Sequence, residues 1–281
     1  MQIGLSSYCY EQLKRKGNFS NFDAIDHAAK TGYEHIEFSG LGTDDDENSA
    51  DLANQLREHA KAKNIRISAF LISADFLNNE EETTRAKKLV DIAAALGAKM
   101  MRHDATWGAQ GKKINYKEAI EAIAPKIREV SEYAATKGIQ TMTENHGYFI
   151  QDSYRMEYLI EKVNHPNYGI LADIGNFLCA DESPIIAVDR VAPYTIHVHV
   201  KDFLFKNGAE PHPGDSWFKS RGGNHLRGTI VGHGIVPVAQ CINILKSAGY
   251  TGDISLEFEG PEDVLFAIES GYKYLSAICN K

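Results

Sequence analysis

Four segments of the chain end in groups able to hold a cation or move a proton. They are Thr143-Glu144-Asn145-His146, Ala172-Asp173-Ile174-Gly175-Asn176, His197-Val198-His199-Val200-Lys201-Asp202 and Leu256-Glu257-Phe258-Glu259. Taken singly, each residue has an ordinary reading. A strand-end glutamate is commonly a solvated charge, and one of two alternating histidines is commonly a hydrogen-bonded core residue. The recurrence carries the weight. Glu144, Asp173, one of the pair His197 and His199, and Glu257 all stand at the ends of β-forming runs. Gathered in one mouth, they would repel and desolvate one another. A divalent cation removes that conflict, because carboxylates and imidazole are its natural ligands. With one histidine among carboxylates, the suitable metals are Mn²⁺, Zn²⁺, Co²⁺ or Mg²⁺.

The elements that must bring these residues together are legible as eight short apolar runs. They begin at Ile3, Tyr33, Ile65, Ala98, Gln140, Tyr168, Thr195 and Asp253. Helical patterns lie between them, such as Ala86, Leu89, Val90, Ala93 and Leu96 on one stripe, and Ile120, Ile123, Ile127 and Val130 on another. Pro125 is expected to kink the second of these, Asn21 to cap the first long helix, and Ser183-Pro184 to start a later one. Gly32, Gly97, Gly138 and Gly249 stand where C-caps are needed. Eight strands alternating with helices define a single (β/α)8 TIM barrel over 1–281, whose active site lies at the C-terminal strand ends. An open doubly wound sheet would need a glycine-rich turn after the first strand, and Ser6-Ser7-Tyr8-Cys9-Tyr10 has none. The segment from Asp202 to Gly234 reads as a long polar loop on the catalytic face.

Composition narrows the function. The 281 residues carry 38 acidic against 30 basic side chains, a formal charge of -8. This disfavours nucleic-acid and anionic-membrane partners, which select basic patches. Cys9, Cys179, Cys241 and Cys279 form no Cys-x-x-Cys pair, so reduced thiols in a cytoplasmic protein are expected. The N-terminus lacks a basic stretch followed by an apolar one, so no signal peptide is expected, and no apolar run reaches the ~20 residues of a membrane span.

The motifs Glu144-Asn145-His146, Asp173-Ile174-Gly175-Asn176, His197-Val198-His199-Val200-Lys201-Asp202, Gly232-His233-Gly234 and Ser255-Leu256-Glu257-Phe258-Glu259-Gly260 resemble those of the xylose isomerase-like barrels, the sugar phosphate isomerase/epimerase family. The resemblance covers essentially the whole chain. It implies that Glu144, Asp173, His199 and Glu257 hold the divalent metal and that Glu144 and Glu257 form the acid/base pair. It also sets limits. The apurinic-site endonucleases of this fold need a histidine where Asn176 stands and an Asp-x-His where Leu226-Arg227-Gly228 stands, so a trinuclear zinc cluster is not expected. The ketose 3-epimerases usually also carry a histidine at the position of Asn176.

A metal held this way leaves room for a substrate carbonyl and its neighbouring hydroxyl. As a Lewis acid it would acidify the adjacent C–H and stabilise an enediolate. One glutamate takes the proton and the other returns it. Isomerisation and epimerisation of a small sugar, keto-sugar or polyol derivative both follow. Loss of a β-hydroxyl from a keto-inositol-like compound is the alternative from the same first step. A metal-dependent hydrolase and a non-catalytic sugar-binding barrel are weaker readings. The two bases on the metal count against the last.

Substrate contacts are assigned to His146, Asn176, Lys201, Asp202, Arg221, His233, His103 and Trp107. Each has a competing structural reading. His146 would donate to a substrate oxygen or make a structural bond. Lys201 and Asp202 would orient substrate or pair with each other. Trp107 would stack on a sugar or pack in the core. Arg221 would clamp a phosphate or carboxylate, or lie solvated in its loop. Tyr8, Glu37 and Glu259 are placed near the same mouth. A homo-oligomer is compatible with this class of barrel.

Overall fold

Buried apolar runs set the strands. The computed structural model describes residues 1–42, 48–111 and 113–279. Along the chain its strands are Ile3–Ser6 (β1), His35–Ser39 (β2), Arg66–Ile72 (β3), Met100–His103 (β4), Gln140–Glu144 (β5), Tyr168–Asp173 (β6) and Thr195–Val200 (β7), followed by Asp202–Lys206 (β8), Phe218–Lys219 (β9), His225–Thr229 (β10) and Ile254–Leu256 (β11). Eight of them close into a parallel barrel in the order β1-β11-β7-β6-β5-β4-β3-β2. All of β3 beyond Arg66 is buried, as expected for a parallel strand covered on both faces. The expected domain of 1–281 includes 43–47, 112 and 280–281, which lie outside the described residues.

Helices Glu11–Lys14 (α1), Asn21–Thr31 (α2), Asn48–Ala62 (α3), Glu82–Leu96 (α4), Tyr116–Thr136 (α5), Ser153–Val163 (α6), Pro184–Val191 (α7), Val238–Ser247 (α8) and Val264–Cys279 (α9) surround the strands. Capping chemistry sets their ends. Gly32 and Gly97 end α2 and α4 in the left-handed conformation, at φ 106° and 76°. The cap of α2 is Ser20, not Asn21. Ser20 exchanges two bonds with Asp23 in a capping box, and Asn21 is the first helical residue. Helix α5 continues through Pro125.

Strand alternation divides the apolar residues into two clusters. Phe70, Ile72 and Ile170 pack outward against the helices. Ala69, Leu71, Met142 and Leu171 form a separate cluster inside the barrel, with Met100 packed on it. This parity governs the rest of the molecule, because residues two apart share a face. Arg102, Glu144 and Asp173 are in phase with Met100, Met142 and Leu171, and so face inward. His103 is out of phase. It is fully buried, with Phe76 at 5.2 Å and Tyr168 at 6.1 Å between ring centroids.

The segment read as a loop after β7 contains structure. β8, β10 and β9 form a three-stranded antiparallel sheet, with Asp202 opposite Thr229 and Lys206 opposite His225. Its sequence lacks a two-residue hairpin turn, so the pairing was not legible. Asp202 anchors the return of the chain. Its carboxylate accepts the N–H groups of Phe203, Gly232, Gly234 and Val236 at 2.8–3.0 Å. A Cβ on Gly234 would run into this carboxylate and the Phe203 carbonyl, which accounts for that glycine.

His103 gives the fold a pH dependence. Burial pushes its pKa down to about 4, against ~6.5 in an unfolded chain. Between these values the unfolded state binds the extra proton. The stability from the neutral ring is therefore complete above pH ~6.5 and is lost as pH falls towards 4, at on the order of 1 kcal/mol per pH unit. His103→Phe should flatten this slope in urea midpoints measured from pH 7 to 4. Parallel slopes for the two proteins would refute the assignment.

Candidate active site

Strand register brings the metal-type residues together. Asp173 on β6 is the direct partner of His199 on β7, and His199 is the partner of Ser255 on β11. Glu257 follows β11 and stays in register through its N–H, which donates to the Val200 carbonyl at 2.9 Å. Glu144 ends β5, one strand to the other side. One ligand atom from each of Glu144, Asp173, His199 and Glu257 lies within 4.8 Å of all the others, and all four residues are buried.

The donor chemistry fits a divalent cation. Asp173 Oδ2, Glu257 Oε2 and His199 Nδ1 are buried without a well-aligned hydrogen bond, and His199 Nδ1 lies 3.2 Å from Glu257 Oε2. The Lys201 ammonium lies 3.2 Å from the Asp173 oxygen and 3.0 Å from the Glu257 oxygen. Burial pushes the Asp173 carboxyl up to about 7, against the pull of Lys201 and with the help of Glu144 and Glu257. One ammonium shared among several buried carboxylates does not offset their burial, and a bound cation would supply the further positive charge. Burial also opposes ionisation of Glu257, but Lys201 and His199 outweigh it and hold that group down at about 2.

Neighbouring groups orient three of the four candidate ligands, His199, Glu144 and Asp173. The other ring nitrogen of His199, Nε2, faces Glu37 Oε1 at 2.5 Å. Glu37 Oε2 in turn lies 2.8 Å from His197 Nε2 and accepts the Ser255 hydroxyl at 2.9 Å. A carboxylate behind a ligating histidine fixes its tautomer and raises its basicity, and losing such a partner typically costs ~10–100-fold in metal affinity. Glu37→Gln is therefore expected to weaken Mn²⁺ or Zn²⁺ binding by about that factor, read by titration calorimetry. Unchanged affinity would remove Glu37 from this role. Glu144 is held by Arg102, whose Nη2 lies 2.6 Å from Oε2, and by Asn176, whose Nδ2 donates to Oε1 at 3.1 Å. Asp173 Oδ1 accepts the N–H groups of Gly175 and Asn176 at 2.8 and 3.0 Å, so the Asp-Ile-Gly-Asn turn orients its own carboxylate.

The site opens into a cavity of about 310 Å³, lined in part by Tyr8, Arg102, Asp104, His146, Lys201 and Glu259. A second cavity of about 470 Å³ adjoins it, sharing Tyr8, His146, Lys201 and Glu259. His146 stands at the junction, with Nδ1 3.0 Å from Asp104 Oδ1. Trp107 lies edge-on to its ring at 5.2 Å and lines the outer cavity, as does Asn176.

Four of the expected substrate contacts are elsewhere. His103 faces outward from the barrel and lines neither cavity. Asp202 is one residue out of phase with Lys201, so Lys201 points into the site and Asp202 binds the backbone behind it. Arg221 is tied to Asp152 at 2.8 Å, outside both cavities. His233 is exposed and also lines neither. Conversely, Arg102 and Asp104 were not singled out from sequence. An arginine in phase with Met100 in a short apolar strand was the available signal.

A closed parallel barrel that gathers three carboxylates and an imidazole at its C-terminal strand ends defines a (β/α)8 barrel enzyme. Residues 25–277 match the model of the xylose isomerase-like TIM barrel, and the chain belongs to that family. It is similar to an inosose isomerase of Halalkalibacterium halodurans, at 23% identity over 94% of this chain and 92% of the relative. It is also similar to an inosose dehydratase of Lacticaseibacillus casei, at 23% identity over 92% and 87%. Among solved structures, the IolI protein with a bound zinc atom superposes with a TM-score of 0.76 at 19% identity, covering 100% of this chain and 99% of that one. A D-psicose 3-epimerase from Clostridium cellulolyticum in complex with D-tagatose gives 0.75 at 16% identity, covering 99% of each chain. No described helix is long and apolar enough to cross a membrane.

Proposed function

We propose that residues 1–281 form one barrel domain that isomerises or epimerises a small sugar, keto-sugar or polyol derivative by moving a proton next to a carbonyl. The carrying observation is the four-residue cluster within 4.8 Å, buried at the foot of an open cavity. Glu144, Asp173, His199 and Glu257 would hold a divalent metal, in keeping with the zinc of the IolI protein. When bound, the cation supplies Lewis-acid polarisation of the carbonyl and makes the adjacent C–H more acidic.

The remaining work falls to side chains of this protein. Glu144 and Glu257 approach the cluster from different strands and are kept ionised by different partners, Arg102 and Lys201. One therefore takes the proton from carbon and the other returns it. Against the cost of burial, Asp104 at His146 Nδ1 and the nearby Glu144 favour the protonated ring, in which Nε2 also carries a proton to donate to a substrate oxygen. Tyr8 and Glu259 line both cavities and position the sugar hydroxyls.

Dehydration of a keto-inositol-like compound is the second reading, favoured by the relatives that carry the name inosose dehydratase. Both readings share the first proton abstraction. A panel of keto- and aldo-sugars and keto-inositols, incubated with Mn²⁺-loaded protein in deuterium oxide, should reveal one that gains carbon-bound deuterium. Growth of enone absorbance on the same compound would assign the lyase. No exchange across the panel by metal-replete protein would overturn the proposal.

A further inference from the structure

The proposed chemistry needs only the inner cavity. The outer cavity is the larger, and its composition differs. Its walls include Trp107, Tyr148 and Phe218, joined by Tyr8 at the junction. Trp107 and Tyr148 are 45% and 42% exposed, more than is usual for such large rings. Tyr148 also sits at φ 64°, a left-handed conformation that is costly for a bulky residue. It is kept there by its N–H, which donates to Gln151 Oε1 at 2.6 Å, and by its hydroxyl, which donates to the Lys219 carbonyl on β9 at 2.9 Å. The antiparallel sheet thus clamps an aromatic ring open to solvent beside the catalytic mouth. Aromatic faces at this height suit the C–H face of a sugar ring.

Charge narrows the ligand further. Among the described residues lining the two cavities, Asp104, Glu144, Glu257 and Glu259 supply carboxylates, whereas Arg102 and Lys201 supply the side-chain cations beside the histidines. Arg102 is engaged by Asp104 and Glu144, and Lys201 by Asp173, Glu257 and Glu259. Arg221 is taken by Asp152, and Arg227, next to the lining residue Gly228, by Glu262. A divalent ion would bring the lining near neutrality and leave no surplus for a phosphate dianion.

We propose that the substrate is an uncharged glycoside-sized compound. Its reacting polyol-carbonyl ring occupies the inner cavity, and a second ring lies against Trp107 and Tyr148. This assignment deepens the proposed function and rests on that reading for the inner ring. Its test is equilibrium binding rather than turnover, so the two can fail separately.

Mn²⁺-loaded protein would be titrated calorimetrically with D-glucose, D-fructose, their methyl glycosides, cellobiose, maltose, sucrose, glucose 6-phosphate and fructose 6-phosphate. At least one disaccharide should bind tenfold or more tighter than its component monosaccharide, and each phosphate should bind no better than its parent sugar. Trp107→Ala and Tyr148→Ala should each shrink the disaccharide-to-monosaccharide ratio towards one, and Trp107→Phe should restore most of it. Equal affinity for disaccharides and monosaccharides, no binding by any disaccharide, tighter binding of a phosphate, or a ratio unmoved in both alanine variants would each overturn the proposal. A positive ladder without deuterium exchange would uphold the outer subsite and count against the proton-transfer chemistry alone.

Discussion

Mn²⁺-loaded Glu257→Gln protein is expected to keep its metal and lose turnover by ~10²–10⁴-fold, the usual contribution of a general base. The amide retains an oxygen able to ligate, and it fills the same buried space. It cannot accept a proton from carbon. Glu144→Gln should also lose turnover, but its single amide oxygen can serve either Arg102 or the cation, so its metal binding should weaken as well. Asp173→Ala is the contrast, because it deletes a ligand and should lower metal content itself. Elemental analysis beside single-turnover rates and deuterium wash-in separates the two kinds of loss. If the glutamates serve opposite faces of the substrate, one glutamine variant should still exchange the substrate proton without completing the reaction. Near-normal turnover in both metal-loaded glutamine variants would defeat the two-glutamate mechanism. The role would then pass to His146 or Lys201, which line the cavity. His233 is exposed and lines neither cavity.

Arg102→Leu should give the largest loss of stability of any single change around the site. The Arg102 guanidinium is buried and lies 2.8 Å from Asp104 and 2.6 Å from Glu144, and it donates to the Ile72 carbonyl at 3.1 Å. Removing it strands two buried carboxylates, and breaking a buried pair in this way costs ~3–5 kcal/mol. Arg102→Lys should recover only part of this, because a single ammonium cannot span both carboxylates in the planar fork geometry. The second carboxylate is the candidate base itself, so catalysis should fall together with stability. Urea denaturation of the metal-free proteins measures the first effect without interference from ligand binding. A destabilisation below ~1 kcal/mol would show that these carboxylates do not depend on the arginine.

The barrel, its eight strands and the four residues that cluster were legible because their signals are local. Strand runs end in Glu144, Asp173 and Glu257 at equivalent places, and position along a strand fixes position along the barrel axis. Choosing His199 over His197 needed the family resemblance. Both alternate onto the inner face, and what separates them is depth in the barrel, which brings His199 level with Asp173 and leaves His197 beneath it beside Glu37.

Other features were set only by the tertiary structure. Arg102 meets Glu144 across neighbouring strands, and Glu37 meets His199 across the barrel. Pairs so distant in sequence have no shared local pattern. Lys201 and Asp202 are adjacent in sequence, yet a period of two sends one into the site and the other into the backbone of the returning loop. The sheet of β8, β10 and β9 is likewise tied down by contacts distant in sequence, including the Asp202 carboxylate on the chain after β10 and Tyr148 on β9. Sequence alone therefore determined the barrel and the metal-type residues at its strand ends. The closed structure decided which charges hold them and what walls stand above them, because both arise from side chains of separate strands and loops meeting in a shared, water-poor interior.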